Sequence, residues 1–199
     1  MRKVMYIRLI SLLFSLLCLP FSACGQTSAS EHLDMAVEYF QSGKFHEALL
    51  LFKALDRDYE LNLRYKAYIG VCCYYDQDYA EAVSRLQPLV DTLHMFAPQE
   101  QAVYYHCAAE SYFRMEQYEA AIPLYEKFIN VCHANEKAHA YYQLGFCQLY
   151  LRNYAAAYDM LSSAKAYYST YKTDLSQQRL AQTERLLRGV AERMKALGQ

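Results

Sequence analysis

The amino-acid sequence predicts an all-α solenoid of about four stacked helix hairpins, closed by a C-terminal capping helix. Three observations predict it. The stretch from Ala102 to Phe128 divides into two helical periodicities joined at Glu116-Gln117. Related patterns start at Ala29, Leu63 and Ala138, giving successive spacings of 34, 39 and 36 residues. With only 6 Gly and 4 Pro in 199 residues, the chain is not loop-rich. One such hairpin cannot bury its apolar face alone, so its copies have to stack.

In the reference hairpin, Tyr105, Ala108, Ala109 and Tyr112 share one helical face, and Ala121, Leu124, Tyr125 and Phe128 share another. Tyr118 stands at the corner. Ala108 and Ala109 let the second helix approach closely, and Ala121 offers the matching low surface. This order of aromatic and small positions resembles the tetratricopeptide repeat (TPR). The resemblance implies a right-handed superhelix whose concave inner face binds peptides.

The other units follow in order. Ser28 with Glu31 forms a capping-box signature that starts the first helix. Met35, Ala36 and Tyr39 make its apolar face, Gly43 ends it and Phe45 turns the corner; Ala48, Phe52 and Leu55 follow. In the second unit Lys66, Ile69, Gly70 and Cys73 take the first-helix positions, with Tyr79, Ala82, Leu86 and Leu89 on the second helix. Pro88 predicts a kink or an early stop there. An insertion follows, and Pro98 suits the first turn of the next helix. The fourth unit carries Tyr141, Leu144, Gly145 and Gln148, then Tyr154, Ala157, Leu161 and Ala164. No unit has the closing Pro common in TPRs, and the chain has no Trp. The units are expected at 29–62, 63–101, 102–137 and 138–171. Residues 172–199 are expected to form the cap, with Leu180, Leu187, Val190, Met194 and Leu197 as its apolar stripe.

The first segment reads as an address. Arg2, Lys3 and Arg8 precede an apolar run from Leu9 to Leu19, too short to span a membrane comfortably, and small residues follow. Residues 1–23 are expected to be a signal peptide, and residues 24–30 a short polar tether. Phe21-Ser22-Ala23-Cys24 resembles a bacterial lipobox, which implies lipidation of Cys24 and a membrane anchor on the periplasmic side of the cell envelope. Phe21 departs from the usual Leu, so ordinary cleavage near Gly25-Gln26 remains open.

Charge and chemistry narrow the function. The formal charge is −1, and −4 without Arg2, Lys3 and Arg8, so no nucleic-acid partner is expected. No cofactor or metal site is expected either. Cys132, His133 and His139 match no familiar zinc spacing, and Asp76 and Asp78 are too few for a calcium loop. No phosphate loop or nucleophile elbow occurs. Cys72 and Cys147 fall at one repeat position and read as small core residues; Cys72-Cys73 is no redox motif. Mapping the resemblance onto the chain gives an inner face of Val37 and Phe40; Val71, Tyr74 and Tyr75; His106, Glu110, Phe113 and Arg114; then Tyr142, Phe146, Leu149 and Tyr150. It lacks the Lys, Asn and Arg set of carboxylate-clamp TPRs.

The expected function is therefore a non-enzymatic TPR adaptor of the bacterial cell envelope, holding a partner polypeptide by its aromatic concave face. The alternative is a soluble periplasmic, chaperone-like binder of unfolded or outer-membrane polypeptides. A third reading, an enzyme or metal-handling protein on helical repeats, has the least support.

Overall fold

The computed structural model describes residues 28–171 and 173–198; the leader, Cys24 and the tether through residue 27 lie outside them. Among the described residues the chain is all-helical. The hairpins are α1 (Ala29–Gln41) with α2 (Phe45–Asp58), α3 (Leu63–Tyr75) with α4 (Tyr79–Leu86), α5 (Pro98–Arg114) with α6 (Tyr118–Val131), and α7 (Lys137–Tyr150) with α8 (Tyr154–Thr170). A last helix, α9 (Asp174–Leu197), packs on α8. Each helix packs on the next, and α3 also touches α5 directly, so the hairpins stack as a solenoid.

The repeat is visible in the burial. Ala48, Ala82, Ala121 and Ala157 occupy one position of the second helix and are fully buried. So are Phe52, Leu86, Tyr125 and Leu161 one turn later. Facing them on the first helices are Ala36, Gly70, Ala109 and Gly145. The glycines are required by contact: a Cβ on Gly70 would stand 2.5 Å from Leu86 Cγ, and one on Gly145 2.7 Å from Leu161 Cδ2.

The corners repeat as well. Gly43, Gln77, Glu116 and Arg152 share one position and all have positive φ, at 76°, 64°, 60° and 62°. After each, the next N–H donates to the carbonyl five residues back: Lys44 to Tyr39, Asp78 to Cys73, Gln117 to Tyr112 and Asn153 to Gln148. These are Schellman closures of the first helices. The entry to α1 is the capping box of Ser28 and Glu31.

Proline shapes the second and third units. α4 stops at Leu86, and Pro88 sits in a 3-10 turn over Gln87–Leu89. Pro98 opens α5, which starts a turn before Ala102. Pro123 lies inside α6, a feature the repeat pattern passes over; it removes one helical N–H, while Leu124, Tyr125 and Phe128 stay buried around it. The insertion between α4 and α5 is packed, with Val90 and Leu93 in the core. Its Phe96 meets Tyr104 edge-on at 5.7 Å, and its Gln87 Oε1 accepts from the Tyr112 hydroxyl. It thus lies on the Tyr104–Tyr112 side of α5.

Candidate functional site on the inner face

The expected inner-face residues separate into three groups. Val71 and Tyr142 are not on an open face. Val71 is buried because α5 presses on α3, and it packs with the central core. Tyr142 is buried by Tyr168 of α8 and by Arg179 of α9, whose guanidinium lies 5.3 Å from the ring centre. Glu110 is also buried, at 3% exposure.

A second group is exposed but already engaged. Tyr75 is 50% exposed, yet its ring stacks on the corner residue Phe45 at 3.9 Å. Tyr150 is 57% exposed and stacks on the corner residue Tyr118 at 4.5 Å. Both are last residues of a first helix, covering the corner of the preceding hairpin. Phe40 stacks on Tyr68 at 4.0 Å and closes the seam between the first two units. Phe113 and Phe146 are half-buried around Tyr150, and Arg114 is exposed.

The third group lines a cavity of about 520 Å³. Its apolar wall is Tyr75, Ala102, Val103, Cys107 and Phe128. Its polar side is Gln99, His106, Cys132, His133, Glu136 and His139. Tyr74 meets the His106 ring edge-on behind this wall at 6.1 Å. Of the expected residues only Tyr75 and His106 line it. Val103, 43% exposed, was not expected, although it lies one turn before His106 on the same helix. Phe128 was expected as core. Cys132, His133 and His139 do converge here, but among the described residues no three His, Cys, Asp or Glu groups are placed to hold a metal ion.

Glu110 does not line the cavity but forms a buried hub next to the lining residue His139. Its carboxylate accepts from the Tyr125 hydroxyl at 2.7 Å and from Gln143 Nε2 at 2.9 Å, and His139 Nε2 lies at 3.5 Å. Burial alone would raise its pKa; the hydrogen bonds from His139, Tyr125 and Gln143 and the nearby His106 outweigh that and hold it at about 2. Three helices meet on this one carboxylate. His106 sits between Phe128, Tyr74 and His139, and burial lowers its pKa below the ordinary value. Its Nδ1 is buried with no hydrogen-bond partner. An orphaned acceptor costs less than an orphaned N–H, which places the proton of the neutral ring on Nε2.

A second cavity of about 420 Å³ lies between α7, α8 and α9 and shares His139 with the first. Asn135, Tyr168, Tyr171, Ser176 and Arg179 line it. Cys72, Cys73, Cys107, Cys132 and Cys147 are all free; Cys107 and Cys132 line the first cavity, and Cys72, Cys73 and Cys147 are buried packing residues away from it. Burial pushes the thiols of Cys72, Cys73 and Cys147 up to about 12. Asp76 pairs with His46 at 3.0 Å, and Asp78 caps α4, so both are turn residues.

The fold defines the class: an all-α, TPR-like helical solenoid. No protein-family model matches the chain, and no curated protein does. Solved structures of MamA, a TPR-like all-helical protein, are similar. A MamA AMB-1 structure superposes with a TM-score of 0.65 and 16% identity, over 84% of this chain and 82% of that one. MamA 41-end from Desulfovibrio magneticus RS-1 gives 0.61 and 17%, over 84% and 92%. At such identity the likeness is one of fold.

Proposed function

We propose that the protein is a non-enzymatic adaptor whose inner face holds a partner polypeptide in the bacterial cell envelope. The observation that carries this is the cavity between α3, α5 and α7, where Tyr75 and Val103 leave apolar surface exposed beside His106, whose Nδ1 is buried without a hydrogen-bond partner. The stacked hairpins supply the rigid frame that positions these side chains. Anchoring through a lipid on Cys24 belongs to the same proposal and rests on the sequence Phe21-Ser22-Ala23-Cys24. Among the described residues no helix is long and apolar enough to cross a membrane.

A photo-crosslinking residue at Val103 tests the binding face, with one at Glu126 on the exposed side of α6 as control. Crosslinking of a discrete polypeptide from position 103 and none from 126 is expected. Equal labelling from both positions overturns the reading. Val103 is preferred to Tyr75 and Tyr150 as a probe, because both tyrosines also hold hairpin corners.

A further inference from the structure

The two cavities differ in charge, and they meet at His139. In the first, the one fully charged side chain is Glu136, whose carboxylate accepts from the backbone N–H of His133 at 2.8 Å. In the second it is Arg179. Among the described side chains no carboxylate pairs with Arg179. Its guanidinium donates to Gln182 Oε1 at 3.2 Å and lies over the Tyr142 ring. The Tyr142 hydroxyl is buried without a partner, so this end of the inner face has unmet polar capacity. Lys53, Arg64 and Arg85, by contrast, tie neighbouring hairpins through Glu81, Glu100 and Asp56.

As the one fully charged side chain lining the second cavity, Arg179 gives that cavity a local positive charge. A guanidinium that lies on an aromatic face and lines a cavity suits a carboxylate. The first cavity is the reverse: Tyr75, Val103 and Phe128 offer carbon, and Glu136 repels an anion. His106, with its proton on Nε2, can donate to a backbone carbonyl between the two.

We propose that the cavities form one track for an extended segment of the partner, an apolar or aromatic side chain seated among Tyr75, Val103 and Phe128 and a carboxylate seated at Arg179 and His139. This rests on the inner-face reading above and adds to it the chemistry and polarity of what is bound.

Selection of a random-sequence peptide library on the immobilised full chain tests it. Selected peptides are expected to carry an aromatic or large aliphatic residue close to an Asp or Glu. Arg179→Gln should weaken a selected peptide roughly tenfold or more, the scale of one charged hydrogen bond. Selection on Arg179→Glu should favour Lys or Arg in place of the acid, a reversal that a merely structural Arg179 would not produce. Val103→Asp should remove the apolar preference. If apolar peptides are selected without an acid, or the acid preference survives Arg179→Glu, the track is overturned while the inner-face reading stands. If the folded protein selects nothing, or its peptides ignore both substitutions, both fall.

Discussion

At the scale of single residues, the four hairpin corners show where the chain carries strain. Gln77, Glu116 and Arg152 hold the left-handed conformation that Gly43 holds freely. A side chain there costs about 1–2 kcal/mol, offset in part by the flexibility glycine adds to the unfolded chain. Arg152→Gly is therefore expected to stabilise by roughly 0.5–1 kcal/mol, and Gly43→Ala to destabilise by about 1 kcal/mol. Thermal melts check both; a lower melting temperature for Arg152→Gly would contradict the assignment.

Glu110 gives a second residue-scale prediction. Its folded pKa, about 2, lies below its ordinary value of 4.5. The unfolded chain takes up a proton first, so this contribution is complete above 4.5 and is lost as pH falls toward 2. His106 is held neutral by burial, so acidification below its ordinary 6.5 also favours the unfolded chain. Denaturant titrations should show two falling segments. Glu110→Gln should flatten the lower one and cost on the order of 2 kcal/mol at neutral pH; His106→Leu should flatten the upper one. An unchanged profile for Glu110→Gln would show that the carboxylate is not the hub. The sequence did not disclose this hub. It put Glu110 on the open inner face, whereas the carboxylate is buried among partners from α6 and α7, and helical periodicity says nothing about such convergence. Val71 and Tyr142 misled for the same reason: a neighbouring helix covers each.

At the scale of elements, the sequence was far more legible. Small and aromatic residues recurring at fixed offsets located the hairpins, because each offset corresponds to a contact that cannot be loosened. Ala121 and Ala157 are fully buried against their first helices. Ala121→Leu and Ala157→Leu should each cost about 1–3 kcal/mol by overpacking, whereas Glu119→Gln, on an exposed position of α6, should be near neutral. Melting curves of the three variants decide; equal values would refute the register. Pro88 was legible as a stop. Pro123 was not, since buried residues on both sides continue α6 through it and packing overrides its poor helix propensity. The gap before the third unit was legible as an insertion, but its packing against the Tyr104–Tyr112 side of α5 was not.

The whole molecule is a line of units, each stabilised by its own hairpin and its neighbours. That makes the role of α9 testable by where stability is lost rather than by how much. Leu187 and Val190 of α9 are buried against the cluster of Tyr142, Leu161, Ala164 and Tyr168. The other face of α9 is rich in Arg, Glu and Gln, as an end cap requires. A chain ending at Tyr171 would expose that cluster to water, and burial of each large apolar side chain is worth about 1.5–3 kcal/mol. In a nearest-neighbour array the loss stays near the break. Amide hydrogen exchange should speed up first in α7 and α8, by the largest factor, while α3 and α4, two interfaces away, keep their protection. Because Tyr142 and Arg179 meet at this same end, the truncated chain should also lose the second cavity while the wall of Tyr75, Val103 and Phe128 survives. A uniform loss of protection from α1 to α8 would mean that the solenoid unfolds as one cooperative body, and that α9 holds the whole stack rather than its last unit.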